Sequence, residues 1–256
     1  MHCPKSKMDM LRCNQLLDVA EDLIDQNGVV SFRFAQIAKE AQCSNHTLYK
    51  FFRSKEDVLV CLFLRNCTSN HMPVFLKENG DLTPMEKAAL PALFSLAAVK
   101  RSPTFNTLRV VSINSMFWQM ASDEKVSLLK NRVNLFWSRL ELHIREAQKH
   151  GALTADEMKL KEFTQAVYFF LAGILSSYES KLMDDKYLGD KSSVFCRHLA
   201  EIFNRYEWNE IATEGKFRTL SDRIFDFLDR SYDKNRNCEH CHKFDGFSEC
   251  ESLPNI

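Results

Sequence analysis

Residues 34–58 read FAQIAKEAQCSNHTLYKFFRSKEDV, and the fold turns on how this stretch divides. Its apolar positions fall into two short groups. Phe34, Ile37, Ala38 and Ala41 make one stripe at helical spacing, and Leu48 and Phe52 make a second after a polar interval. Helices of two turns are marginal in water, so each must pack on neighbours. Ser44 stands where an N-cap would, its hydroxyl accepting backbone N–H groups of the second helix. Ser54, followed by Lys55, Glu56, Asp57 and Val58, repeats the signal, with acids in the first turn where the helix dipole favours them.

Two short helices joined by about three residues, the second polar on its outer side, have the shape that enters a duplex groove. With Leu48 and Phe52 wholly inward and Phe51 partly so, Asn45, His46, Thr47, Tyr49 and Lys50 lie on the outer face or at the helix start, within reach of base edges and phosphates. From residue 26 to residue 55 the basic residues are Arg33, Lys39, Lys50, Arg53 and Lys55, against the single acid Glu40. The whole chain has no such bias, because 34 Lys and Arg balance 34 Asp and Glu, so an anion-binding surface has to come from this local cluster. Lys5, Lys7 and Arg12, before and at the start of the first helix, could follow a neighbouring phosphate or the minor groove.

Helical spacing continues on both sides. Leu16, Leu17, Ala20, Leu23 and Ile24 form a stripe within a helix expected over 8–26, and Asn27-Gly28 is its stop signal. A helix runs from Ser54 toward Cys67, and the pattern is interrupted from 72 to 84. Further helices are expected at 84–99, 103–121, 123–150, 156–183, 191–212 and 219–232, with Gly151 closing the longest. No period-two alternation is found, and seven glycines and six prolines argue against a strand-and-turn architecture. The expected fold is all-α. It divides into a three-helix head over 1–62, a helical body over 63–232, and a tail over 233–256 that loses apolar periodicity.

The head resembles the DNA-binding domain of tetracycline-repressor-like (TetR family) regulators. The matching features run from about residue 16 to residue 62: the first helix, Gly28, Ile37-Ala38, Ser44, Thr47-Leu48-Tyr49, Phe52 and Ser54-Lys55-Glu56. The resemblance implies that Thr47, Tyr49 and Lys55 bind phosphates and that Asn45, His46 and Lys50 face bases; Ser44 and Arg33, beside them, complete the candidate DNA-binding residues. It also implies a homodimer on a pseudo-palindromic double-stranded operator, and a body that encloses a small-molecule effector. Two positions depart from the family's pattern. Gln42 stands where glycine is common, costing about 1 kcal/mol if the left-handed angle is kept. Arg33 stands where a capping Ser or Thr is usual, so either Ser31 caps one turn earlier or Arg33 meets phosphate.

In the body, Ala166, Gly173 and Ser177 are small residues flanked by large ones such as Phe170, and Phe195, Leu199, Ile202 and Tyr206 form a second stripe; together they are the expected dimer face. For an effector pocket the candidates are Asn114, Trp118, His143 and Gln165, set among many aromatics. No phosphate loop, nucleophile elbow or paired histidines is present, so an enzyme is not expected.

The start of the chain has no secretory pattern and the apolar run at 163–175 is too short to span a bilayer, which points to the cytoplasm. Nine cysteines is an odd number, and most lie outside any disulfide framework, which suits reduced thiols. Cys238, Cys241 and Cys250 with His240 could hold one zinc, which would be the only cofactor; the same tail could instead be a reversible thiol sensor or an inert end. The reading is therefore a dimeric TetR-type repressor released by an effector. The alternatives are an architectural or adaptor DNA-binding protein and a metal- or thiol-responsive switch.

Overall fold

The computed structural model describes residues 3–67, 71–112 and 114–231, apart from the side chains of Pro103 and Trp118. In chain order the helices are α1 (Lys7–Ser31), α2 (Phe34–Glu40), α3 (Asn45–Phe51), α4 (Lys55–Asn66), α5 (Met72–Glu78) and α6 (Pro84–Arg101). They continue as α7 (Pro103–Ser112), α8 (Ser115–Trp118), α9 (Asp123–Lys149), α10 (Glu157–Ser180), α11 (Asp185–Leu188), α12 (Lys191–Phe203) and α13 (Glu214–Ser231). The fold is all-α but for a two-residue antiparallel ladder, β1 (Leu153–Thr154) with β2 (Glu207–Trp208). That ladder is too short to show as period-two alternation in the sequence. The expected helices over 103–121 and 191–212 are shorter: in the first, α7 ends at Ser112 and α8 spans Ser115–Trp118, and the other stops at Phe203 before β2. Conversely, α5 forms where an interruption was expected, with proline at its start.

The chain falls into two compact units. The first holds residues 3–67 and 102–132 of those described, the second residues 71–101 and 133–231. This differs from a single cut at residue 62, because α7 returns to the N-terminal helices: the rings of Phe105 and Phe63 lie 5.4 Å apart, and Thr104 donates to Asp25.

In the first unit, the Ser6 hydroxyl accepts the Asp9 N–H at 3.1 Å and starts α1. Gly28, at φ 79°, breaks its helical path where the Asn-Gly pair foretold a stop. The stripe Leu16, Leu17, Ala20, Leu23 and Ile24 is buried as expected. Helix α4 is buried along nearly its whole length, which brings the side chains of Asp57, Arg65 and Asn66 into the interior, where each meets partners although the Arg65 Nε itself makes no hydrogen bond among the described residues. Arg65 donates to Asp18 at 2.7 Å and to Glu21 at 2.5 Å, and Asn66 donates to the other Glu21 oxygen at 3.1 Å. Asp57 accepts the Arg53 N–H at 2.8 Å on one oxygen, and the Ser122 N–H and hydroxyl at 2.7 and 2.9 Å on the other.

In the second unit, α6 is apolar and buried almost all round, and α5 and α13 lie against it through Phe75, Phe94 and Phe227. An aromatic cluster joins α10, α12, β2 and α13: Phe203 lies 4.8 Å from Phe163, 5.5 Å from Trp208 and 5.1 Å from Phe217, ring centre to ring centre. After α12, the Asn204 amide exchanges two hydrogen bonds of 2.9 Å with the Ala212 backbone and closes the turn.

The buried Arg65 is a strong test of this packing. Arg65→Met should leave the Glu21 carboxylate buried without its guanidinium and destabilise the protein by about 3 kcal/mol, read from urea unfolding followed by circular dichroism.

Candidate nucleic-acid interface

The turn between α2 and α3 explains how a seven-residue helix holds its direction. Gln42 takes the left-handed angle, φ 49°, that glycine would adopt freely. The Cys43 N–H reaches back to the Ala38 carbonyl at 2.9 Å and the Gln42 N–H to Lys39 at 3.1 Å, the paired closure of a Schellman turn. Ser44 then caps α3, its hydroxyl accepting the Thr47 N–H at 3.1 Å and sharing a 3.0 Å hydrogen bond with the Thr47 hydroxyl. Upstream, the Gln36 side chain accepts the Arg33 N–H at 2.8 Å, so the reciprocal half of a capping box starts α2 and the Arg33 guanidinium stays in solvent. Ser31 is the last residue of α1 and not the cap of α2.

The burial of α3 is one-sided. Leu48 and Phe52 are fully enclosed and Phe51 nearly so, whereas Ser44, Asn45, His46, Tyr49 and Lys50 are exposed and Thr47 is half-buried. The outer residues thus share one face. The Tyr49 ring stands edge-on to Phe34 at 5.4 Å, which holds the half-exposed side chain in place.

Two of the basic residues are engaged within the protein. The Lys50 ammonium lies 2.6 Å from an Asp9 carboxylate oxygen on α1, and that contact holds the Asp9 carboxyl below the usual carboxylate range. The Lys55 ammonium donates to the carbonyls of Val30 and Phe32 at 2.9 and 3.0 Å and lies 4.3 Å above the Phe32 ring. Burial pushes its affinity for a proton down, with Glu56 opposing. Lys55 therefore closes the end of α1, and at most one of its three N–H donors is left for a phosphate. Arg12 is likewise committed, bonding Gln15 at 2.9 Å and the Ala41 carbonyl at the end of α2 at 3.4 Å. Sequence reasoning missed Asp9 as a partner of the recognition face, and no local signal marks a contact between residues 41 positions apart.

Three residues of the expected dimer face, Phe195, Leu199 and Ile202, are corrected. Phe195, Leu199 and Ile202 are buried inside the second unit, with Phe195 5.2 Å from Phe170, and Tyr206 lies 4.7 Å from Phe163. The face fails because α12 turns its apolar stripe toward α10 and α13. On α10, by contrast, Ala166, Phe170 and Ser177 are half-buried and Gly173 is exposed, beside Phe169 at 66% exposure.

The expected effector residues take separate roles. Asn114 caps α8, accepting the Met116 N–H at 3.0 Å, and the Trp118 side chain lies outside the described ones. His143 is buried on α9, 3.4 Å from Glu146. Gln165 lines a groove of about 640 Å³ along α9 and α10, whose apolar wall is Trp137, Leu160, Tyr168 and Phe169. At its polar end Arg145 bridges Glu141 and Glu157, each at 2.8 Å. Cys238, His240, Cys241 and Cys250 lie outside the described residues, and among the described ones no cluster of three His, Cys, Asp or Glu is arranged for a metal.

Residues 16–61 match the family model for bacterial regulatory proteins of the tetR family. The fatty acid metabolism regulator protein of Bacillus subtilis is 39% identical over 78 residues, which is 30% of this chain and 39% of that protein. The chain thus matches about two fifths of that curated relative's length. Two solved structures share the fold at low identity. The FadR regulator of Bacillus subtilis in complex with stearoyl-CoA has a TM-score of 0.52 at 16% identity, covering 84% of this chain and 96% of that one. FadR of Bacillus halodurans has a TM-score of 0.50 at 18% identity, covering 66% and 87%.

The Asp9–Lys50 contact ties the outer face of α3 to α1. Asp9→Asn should free Lys50 and remove a charge that repels phosphate, tightening duplex binding about two- to fivefold at low salt in an anisotropy titration. A second outcome concerns His143. Burial holds its imidazole below the ordinary value of 6.5, aided by Lys87 and Arg139 and opposed by Glu146. The unfolded chain therefore takes up this proton first, and the stability present above pH 6.5 is lost as the pH falls toward the folded value. The thermal midpoint should drop between pH 7.5 and pH 5.5, and drop less in His143→Gln.

Proposed function

We propose that this chain, whose residues 16–61 match the model of the tetR family of bacterial regulatory proteins, is a sequence-specific transcription regulator that reads operator DNA with α3. The observation that carries the reading is the one-sided burial of that helix: Leu48, Phe51 and Phe52 anchor it, and Asn45, His46, Thr47, Tyr49 and Lys50 remain outside on a surface poor in acids. In the proposed complex Asn45 and His46 meet base edges. The hydroxyls of Ser44, Thr47 and Tyr49 and the guanidinium of Arg33 meet phosphates and set the register. Lys50 joins them by exchanging Asp9 for a base or phosphate, and Lys55 contributes the donor it has left.

The regulator acts as a homodimer in the cytoplasm. No helix among the described residues is long and apolar enough to cross a membrane, which fits that placement. The half-exposed side of α10, with Ala166, Gly173 and Ser177 allowing close approach and Phe169 exposed, is the surface proposed for the partner copy. Two-fold symmetry then presents two recognition helices about 34–36 Å apart to a pseudo-palindromic operator. Repression ends when an effector binds the released state better than the DNA-bound one. A long-chain acyl thioester is the first effector to test, because the solved relative from Bacillus subtilis holds stearoyl-CoA.

The reading is tested with duplexes tiled across the DNA flanking the protein's own gene, at low salt, by anisotropy. One duplex should bind far more tightly than random sequence of equal length. Asn45→Ala with His46→Ala should then erase about tenfold or more of that preference while leaving non-specific binding in place. Equal affinity for all duplexes, or unchanged preference in the double variant, would overturn it.

A further inference from the structure

The first unit contains a buried charge that DNA recognition does not use. Lys125, in the first turn of α9, is 3% exposed, and its ammonium donates to the Cys3 sulfur at 3.1 Å. The groups facing it come from three directions: Cys3 from the segment before α1, Cys13 from α1 and Cys61 from α4, all three buried. The Cys3 backbone N–H is held in turn by the Glu124 carboxylate at 3.2 Å.

An ammonium taken out of water needs a compensating anion nearby. Burial lowers the proton affinity of Lys125, yet the thiols around it, with the Cys3 hydrogen bond, raise it above the ordinary lysine value. Cys196 in the second unit is the contrasting case. It too is buried, but burial dominates there and pushes its thiol up to about 11. A thiolate is the nucleophilic form of cysteine, and a neighbouring lysine cation is one of the arrangements that produce it.

We propose that Cys3 and Lys125 form a thiolate–ammonium pair and that Cys3 is a site of oxidation by hydroperoxides. The Cys3 thiolate attacks one oxygen of the peroxide: the S–O bond forms, the O–O bond breaks, sulfur is oxidised to sulfenic acid, and the departing hydroxide takes a proton from solvent. Lys125 stabilises the thiolate beforehand and keeps its own proton throughout. Access requires local opening of residues 3–5 only, which precede the Ser6 cap of α1 and leave that cap in place. The product replaces the thiolate by a neutral, larger sulfenic acid beside an ammonium that keeps its charge, between α1, α4 and α9. This site is independent of operator binding and is tested without DNA.

The full chain, freshly reduced, is treated with dilute hydrogen peroxide in the presence of a dimedone probe, and each cysteine peptide is quantified by mass spectrometry. Cys3 should label at least about tenfold faster than Cys196. Lys125→Met should remove that advantage, and Lys125→Arg should keep most of it, with circular dichroism confirming that both variants fold. Labelling of Cys3 no faster than Cys196, or unchanged in a folded Lys125→Met, overturns the proposal. Should Lys125→Met not fold, alkylation of the native protein by iodoacetamide decides. Cys3 reactivity that persists as the pH falls below 7 supports the pair, and reactivity that declines as for an ordinary thiol refutes it.

Discussion

Three buried side chains, Leu48, Phe51 and Phe52, make the short helix α3 possible. Seven residues do not hold a helix in water, because the nucleation cost exceeds what so few hydrogen bonds return. Fully burying each of these side chains is worth about 1.5–3 kcal/mol, enough to hold α3 against the head where local propensity alone would not. The caps then set its ends. Ser44 satisfies an N–H that would otherwise be open, and the Schellman turn at Gln42 fixes the direction of entry. Because the inner face is spent on packing, the outer face is free to be polar, and its chemistry is what remains for recognition.

The same economy governs the cations. A neutral chain has few basic side chains to spare, and several in the head serve the fold. Arg65 neutralises acids beneath α4, Arg12 holds the end of α2, and Lys55 closes the end of α1. Exposed Arg33, Lys39 and Arg53 are left to attract phosphate, with Lys50 held in reserve by Asp9. In the proposed complex such an arrangement keeps the electrostatic contribution to non-specific binding modest and places more of the discrimination on α3. Lys125 belongs to a third class, a buried charge whose neighbours are sulfur atoms.

Much of the head was legible in the sequence because its signals are local. Helical spacing, the serine caps at 44 and 54, and the Asn-Gly stop each act within four residues, and each appears as expected. What stayed hidden depends on contacts between distant residues. Asp9 with Lys50, Lys55 with the carbonyls at 30 and 32, and Cys3 with Lys125 leave no periodic trace. The stripe at 195, 199 and 202 was read correctly as apolar but assigned to a partner copy. Periodicity reveals that a face is covered and not what covers it, and here α10 and α13 do so. The strands at 153 and 207 were missed for a similar reason, since two residues are too few to alternate.

The central claim is that the outer face of α3 touches DNA. A photo-crosslinking amino acid placed at position 46 tests it most directly, compared with the same group at Glu162, an exposed position on α10. With the preferred duplex bound, irradiation should yield a protein–DNA adduct from position 46 and none from position 162. Adducts of equal yield from both, or none from position 46 while the duplex remains bound, would contradict the account.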